Sequence, residues 1–146
     1  MSSDVRSDDM ALQKKKFPIV WPVFSLVLAV AIVANFAWSS LRNQKAQTSL
    51  FAWSNQLKQD NPSIVFGGFT TSQSSDLLGS SFRYQAKCTT PTGHPIAIDF
   101  HHRGRLFTDS SRLVLSAEGK SLTLPFEDVE RGRKIDLKAE FPEAFR

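Results

Sequence analysis

Cysteine is nearly absent from this chain of 146 residues, which contains a single one, Cys88. One cysteine excludes an intramolecular disulfide, so the folded part must be held by its hydrophobic core or by a partner. Common catalytic signatures are missing too, among them G-x-S-x-G, S-x-x-K, the P-loop and H-E-x-x-H. We therefore expect a protein that is not an enzyme and needs no cofactor.

Blocks of like charge are also missing from most of the chain. From Arg42 onward, 14 Lys or Arg stand against 11 Asp or Glu, and the two signs are mixed along the sequence. Such a balance is typical of an ordinary protein surface. It favours neither nucleic-acid binding nor a strongly charged substrate.

Charge is entirely absent from one long segment, the 25 residues from Phe17 to Leu41. At about 1.5 Å per residue, a helix of this length crosses a hydrocarbon core of about 30 Å. Trp21 and Trp38 lie near its two ends, where aromatic side chains favour the headgroup level. We predict a transmembrane helix over residues 17–38 that is retained as a signal-anchor.

A cleaved signal peptide is the competing interpretation of this segment. Its apolar region would be about 7 to 15 residues long and would end in a small-x-small site. Ala37 would need a small residue at Asn35, and Ala34 would need one at Ile32, so the fit is poor.

The orientation follows from the basic residues Lys14, Lys15 and Lys16 directly before the span. Because lysine and arginine concentrate on the cytoplasmic side, we expect residues 1–16 to form a disordered cytoplasmic tail. The C-terminal part would then lie outside the cytoplasm, in a bacterium in the periplasm, anchored in the cell inner membrane. Within the span, Ser25 and Ala29 form a small-xxx-small pair and Asn35 is the only amide, so all three are candidates for a helix contact.

The region after the span begins with a helical pattern. Gly and Pro are absent from Leu41 to Asp60, and an apolar stripe at steps of four, three and four residues predicts a helical extension over residues 39–61. The stripe comprises Ala46, Leu50, Trp53 and Leu57. Packing on a following sheet explains it better than a coiled coil does, and Pro62 ends the helix.

Residues 62–146 change to a period of two, which predicts a β-rich exported domain. We expect a weak first strand over residues 63–69, a polar loop over 70–81, and strands at 81–88 and 95–101. A hairpin through Glu118 to Lys120, one helical turn at 126–132 and a last strand at 134–141 complete the pattern. The fold class is therefore α+β, an outward-extended transmembrane helix followed by an antiparallel sheet of five or six strands.

Polar residues in this domain offer three candidate sites. His102, Arg103 and Arg105 flank Gly104 and predict a basic turn that could bind an anionic partner. Cys88, His94 and His102 are soft-metal ligand types, but no C-x-x-C or H-x-x-x-H spacing supports a metal site. Asp99 and His101 could form an acid-base pair in a strand, although no motif places a nucleophile beside them.

The order of basic tail, membrane helix and antiparallel sheet is similar to that of type IV pilins and type II secretion pseudopilins. Those families have Gly before the Phe that begins the mature helix and Glu five residues in, whereas this chain has Lys16 before Phe17, and Trp21 at the fifth position. The resemblance covers the first third of the chain and is topological. It implies at most an uncleaved, pseudopilin-like filament component.

The function that we expect is binding of another envelope protein, as an accessory subunit of a secretion, pilus or division assembly. A small domain that buries little surface is often completed by a partner, and homo-oligomerisation is one form of this. The alternative is a metal-handling or assembly chaperone for a membrane enzyme. The orientation of Cys88 distinguishes the two hypotheses, because a chaperone needs that thiol to face outward.

Overall fold

The computed structural model describes residues 20–106 and 108–146. Its first element is one uninterrupted helix, α1 (Val20–Asp60), of 41 residues. Among the described elements, α1 is the one helix long and apolar enough to cross a membrane. The predicted tail 1–16 and the first three residues of the predicted span lie outside the described residues.

Five strands follow α1 and form one antiparallel sheet in sequence order. They are β1 (Val65–Asp76), β2 (Gly79–Thr89), β3 (Pro95–Arg105), β4 (Thr108–Ala117) and β5 (Lys120–Pro125). Consecutive strands are joined by short hairpins, so every neighbour in the sheet is also a neighbour in the chain. The α+β class and the five-stranded antiparallel sheet are as the sequence predicts.

Three short helical segments complete the chain: α2 (Phe126–Glu130), α3 (Leu137–Glu140) and a 3₁₀ turn, Pro142–Phe145. The helical turn predicted at 126–132 is confirmed by α2. The last strand predicted at 134–141 is wrong. Asp136 instead accepts hydrogen bonds from the backbone N–H groups of Lys138 and Ala139, which caps α3 at its N-terminus.

The polar loop predicted at 70–81 is also wrong. Those residues continue β1 to Asp76, pair with β2 and turn at Leu77 and Leu78. Both faces of β1 are exposed along almost its whole length. The strand therefore needs no apolar face, and its sequence shows no apolar alternation. Pairing with β2, rather than burial, holds this strand in place.

The core lies between the outer half of α1 and one face of the sheet. The predicted stripe of Ala46, Leu50, Trp53 and Leu57 is buried there, which confirms that it packs on the sheet. The inward residues of the central strands, such as Phe100 and Leu115, are fully buried against it. At about 25 cal/mol per Å² of apolar surface, each large buried side chain stabilises this packing by about 1.5 to 3 kcal/mol.

The helix runs along the sheet in the direction of β2. Ser39 contacts Ser80 near the start of β2, Phe51 packs edge-on against Tyr84 in its middle, and Lys58 lies over the ring of Phe66, opposite Cys88. One end of the sheet therefore lies beside Asn35 to Arg42, close to the apolar half of α1, and the other end lies beside the C-terminus of the helix.

Candidate functional site

The basic segment predicted as a turn lies inside β3. Because side chains alternate across a strand, His102 points to the core face, while Arg103 and Arg105 point to the opposite face. His102 is buried and both arginines are exposed. The three residues therefore do not form a single basic site, and the prediction of one basic turn is wrong.

His102 is held between α1, β4 and α2. Its Nδ1 is 2.7 Å from Ser111 Oγ, and its Nε2 has no hydrogen-bond partner among the described residues. Burial disfavours the imidazolium and lowers the pKa of His102, partly opposed by the charge of Asp109. This histidine is therefore neutral at neutral pH, and it lines a groove of about 670 Å³ that Arg42, Asp109 and Phe126 also border.

Arg103 and Arg105 lie at the other face, in a recess of about 290 Å³ between the first three strands. Arg105 Nη2 is 3.7 Å from a carboxylate oxygen of Asp76, and the hydroxyls of Ser74 and Ser81, which contact each other at 2.7 Å, line the same recess. Two guanidinium groups beside hydroxyl donors can bind an anion. The recess lies at the end of the sheet nearest the apolar half of α1.

The candidate metal ligands lie apart. Cys88 is fully buried, its thiol is 3.5 Å from the carbonyl oxygen of Ile96, and burial raises its pKa to about 11. His94 Nδ1 contacts Glu118 Oε1 at 2.8 Å at the far hairpins. His102 pairs with Phe82, six residues from Cys88 along β2, a separation of about 20 Å at about 3.3 Å per residue.

Residues 20–106 and 108–146 contain no group of three or more His, Cys, Asp or Glu side chains arranged to hold a metal ion. The thiol of Cys88 points into the core, so a metal ion could reach it only if the core opened. This orientation argues against a metal chaperone.

Asp99 and His101 lie on the open face of the sheet. Arg83 donates to both carboxylate oxygens of Asp99, at 3.1 Å from Nε and 2.6 Å from Nη2. These hydrogen bonds hold the pKa of Asp99 below its usual value. The carboxylate is thus engaged by Arg83 rather than by the imidazole of His101.

The three candidates within the span have different surroundings. Ser25 donates to the carbonyl oxygen of Trp21 at 2.9 Å within its own helix, and it is exposed, as is Ala29. Asn35 is buried, and its side-chain amide donates to the carbonyl oxygen of Leu78 at 3.2 Å. The partner of Asn35 is thus a hairpin of the same chain, and the sequence does not predict this contact because residues 70–81 lack the alternation typical of a strand.

The strand β1 forms an open edge of the sheet. Its first eleven residues, Val65–Ser75, carry no charge and no proline, and all of them except Phe66 are exposed. The pairing with β2 shifts register between Phe66 and Phe69 and is regular from Phe69 to Asp76. Backbone groups along the outer side of this strand are therefore open to a further strand.

The opposite edge is protected in three ways. β5 has six residues, begins with Lys120 and ends with Pro125. Short length, lysine and proline each disfavour the addition of another strand. The two edges of this sheet therefore differ, and β1 is the one suited to pairing.

Comparison with known proteins finds no matching family model, no matching curated protein and no matching solved structure.

Proposed function

We propose that this chain is a single-pass membrane protein whose exported domain binds another envelope protein by accepting a strand along β1. The observation that carries the proposal is the open edge of that strand, eleven uncharged residues without proline. Such an edge offers unpaired N–H and C=O groups to an extended partner segment. A sheet whose other edge ends in Pro125 leaves β1 as the place where a partner would add.

The regular part of β1 gives this interaction its length. From Phe69 to Asp76 the strand pairs residue for residue with β2, so a partner strand of about eight residues can follow the same ladder. Each hydrogen bond contributes about 0.5–1.5 kcal/mol net, and several in series suffice for a specific complex. The serines and threonines along β1 suit a partner strand that is itself polar and uncharged.

An exposed aromatic side chain near the bulge would add selectivity. Phe69 is 55% exposed although its ring stacks on Tyr84, with 5.4 Å between the ring centroids. Phe51 on α1 contacts both rings edge-on, which fixes their positions. A partner residue that covers Phe69 would bury apolar surface that the isolated chain leaves in water.

The location that we propose follows from the span and its flanking charges. Residues 17–38 would cross the inner membrane as a signal-anchor, residues 1–16 would remain in the cytoplasm, and residues 62–146 would fold in the periplasm. This placement would suit an accessory subunit of a secretion, pilus or division assembly. Binding, rather than catalysis or metal transfer, is the function that we propose, and the buried thiol of Cys88 supports the choice over metal transfer.

Lysine substitutions on the open edge test the proposal. Thr71→Lys with Gln73→Lys places on β1 the charges by which natural sheets prevent strand addition. We expect this variant to lose the partner that the unmodified chain retains during affinity purification from native membranes. The matched control, Ser121→Lys with Thr123→Lys, adds the same charge to β5 and should retain the partner.

The thermal midpoint of both variants must equal that of the unmodified chain, because all four positions are exposed. Equal recovery of the partner with both folded variants would contradict binding along β1.

A further inference from the structure

We infer that the sheet itself contacts the bilayer, through the two hairpin tips that carry Leu77, Leu78 and Leu106. The inference rests on the proposed membrane insertion of α1 and adds a second membrane contact, made by β-hairpins, to that of the helix. Its partner is the outer leaflet of the membrane that α1 crosses.

The first observation is where these tips lie. Leu78 accepts, at its carbonyl oxygen, one hydrogen bond from the Asn35 side chain and one from the backbone N–H of Leu106, each at 3.2 Å. Asn35 precedes Trp38 by three residues, about 4.5 Å along the helix. Both tips are thus joined to α1 inside its uncharged segment, so a helix that spans the membrane carries the tips to the interface.

A close helix-sheet contact holds the tips at that level. Ser39 and Ser80 share a hydrogen bond of 2.7 Å, and the backbone N–H of Ser80 donates to Ser39 Oγ at 2.9 Å. Gly104 packs against Ser39, because a Cβ atom at position 104 would lie 3.2 Å from Ser39 Oγ. Arg42 forms an ion pair with Asp109 just beyond the β3–β4 tip.

The second observation is the difference between the two ends of the sheet. At the membrane end, the tips expose leucine: Leu77 is 75% exposed, Leu106 is 56% exposed and Leu78 is 47% exposed. At the far end, the hairpins turn through Thr90 to His94 and through Glu118 and Gly119, which are polar or typical turn residues. Among the described residues, only the hairpin turns beside the apolar half of α1 expose large apolar side chains, since the exposed Val65 at the far end begins a strand rather than a turn.

The third observation is that turn geometry does not explain these leucines. Leu106 has a φ of 41°, a left-handed conformation that glycine or asparagine adopts at lower cost. The β1–β2 turn is already closed by Asp76, whose carboxylate accepts hydrogen bonds from the backbone N–H groups of Leu78 and Gly79. Apolar side chains at such positions gain from leaving water, and lipid is the apolar medium within reach.

Charge next to the tips agrees with this placement. Arg103 and Arg105 are exposed on β3 directly before Leu106, at the depth of the lipid headgroups if the leucines enter the leaflet. Long basic side chains extend to the headgroup phosphates from such positions. The recess that these arginines line thus faces the membrane surface rather than open solvent.

Fluorescent labelling of single cysteines in the full chain tests the inference. An environment-sensitive nitrobenzoxadiazole label is placed on Leu77→Cys and Leu106→Cys, and on Val27→Cys within the span. Ser121→Cys at the far end serves as an aqueous control. Cys88 is fully buried, so the unmodified chain serves as the blank. Each protein is reconstituted in vesicles of phosphatidylcholine and phosphatidylglycerol.

We expect the labels at positions 77 and 106 to show blue-shifted emission, loss of iodide quenching and quenching by a lipid with its quencher near the headgroup. The label at 27 should be quenched by a quencher deep in the acyl chains, and the label at 121 by iodide alone.

A deep label at 27 together with iodide-accessible labels at 77 and 106 would overturn the hairpin contact and leave the proposed function standing. An aqueous label at 27 would overturn the membrane span and, with it, this inference.

Discussion

Buried polar side chains mark the end of the helix-sheet contact that is nearest the apolar half of α1. Asn35, Ser39 and Asn43 are all buried on α1, whereas the apolar stripe begins only at Ala46. Asn43 is fully buried, and both polar atoms of its side chain lack a hydrogen-bond partner among the described residues. An unpaired buried amide costs about 1–3 kcal/mol, so this end of the contact is less stable than the apolar end.

Sequence periodicity could identify the apolar part of this contact but not the polar part. Leu50 and Leu57 recur at helical spacing, and that signal predicts their burial. Serine and asparagine carry no comparable signal, because their burial depends on a hydrogen-bond partner far along the chain. Ser39 and Ser80 are 41 residues apart, and nothing local connects them.

The buried His102 predicts how the stability of the fold depends on pH. Its pKa is lowered from 6.5 in the folded chain, so the unfolded chain takes up a proton first as the pH falls. The free energy of unfolding should therefore decrease on acidification below about pH 6.5, and this loss should end once the pH is below the folded pKa. His102→Gln should show a smaller decrease between about pH 7 and about pH 5 than the unmodified chain, measured by denaturant titration in detergent.

His101→Gln is the matched control, because His101 is the exposed neighbour on the same strand. It should keep the acid sensitivity of the unmodified chain. Identical pH dependence of His102→Gln and the unmodified chain would show that this imidazole does not remain neutral in the fold.

At the scale of elements, the wrong predictions of a loop at 70–81 and of a last strand at 134–141 have different causes. The first strand predicted at 63–69 overlaps the start of β1, but its continuation to Asp76 is predicted as a loop because strand prediction relies on apolar alternation, and a strand exposed on both faces has none. Residues 134–141 do alternate, and Ile135, Leu137 and Phe141 are indeed buried, but Leu137 lies in the short helix α3, and Ile135 and Phe141 flank that helix. The capping residue Asp136 and the strong helix formers after it were the signal that pointed to a helix.

The elements that were predicted correctly share strong local signals. α1 has a long uncharged segment, a stripe and a proline just beyond its end. β2, β3 and the β4–β5 hairpin combine alternation with recognisable turns. The open edge, which carries the proposed function, has no such signal, because it depends on the pairing of β1 with β2.

The close approach of β2 and β3 at Gly79 and Gly104 predicts the effect of a glycine substitution on stability. A Cβ atom at Gly79 would overlap the carbonyl oxygen of Gly104, whereas one at Gly68 meets nothing within 4 Å. Gly79→Ala should destabilise the fold by about 3 kcal/mol, because the backbone must move apart. Gly68→Ala should change the stability by about 0.5 kcal/mol or less.

Thermal melts of both glycine variants in the same detergent provide the comparison. A Gly79→Ala variant as stable as Gly68→Ala would show that the hairpin tips are not held as closely as the structure indicates.

At the scale of the whole molecule, the helix and the sheet form a continuous path from the apolar half of α1 to the open edge. α1 enters the domain without a break, and its outer half supports β2 and β3, on which β1 is added. The first residues of β1 lie far from the apolar half of α1, and its last residues lie close to it. A partner strand along β1 would therefore run roughly parallel to α1, which, with α1 crossing the membrane as proposed, suits a partner anchored in, or reaching toward, the same membrane.

The two edges of the sheet allow the central claim to be tested within one molecule. A photoreactive amino acid at Gln73 lies on β1, and one at Thr123 lies on β5, both exposed and both on edge strands. Irradiation of native membranes should give, from Gln73 alone, one adduct that contains a different envelope protein. The Thr71→Lys substitution in the same chain should remove that adduct, because charge on the edge opposes strand addition.

This crosslink is the most direct test of whether β1 binds another envelope protein. A single heterologous adduct from Gln73 that Thr71→Lys abolishes, with none from Thr123, is the predicted result. Equal adducts from both edges, no adduct from either, or an adduct at twice the 16.3 kDa of the chain would contradict the proposal that β1 binds another envelope protein.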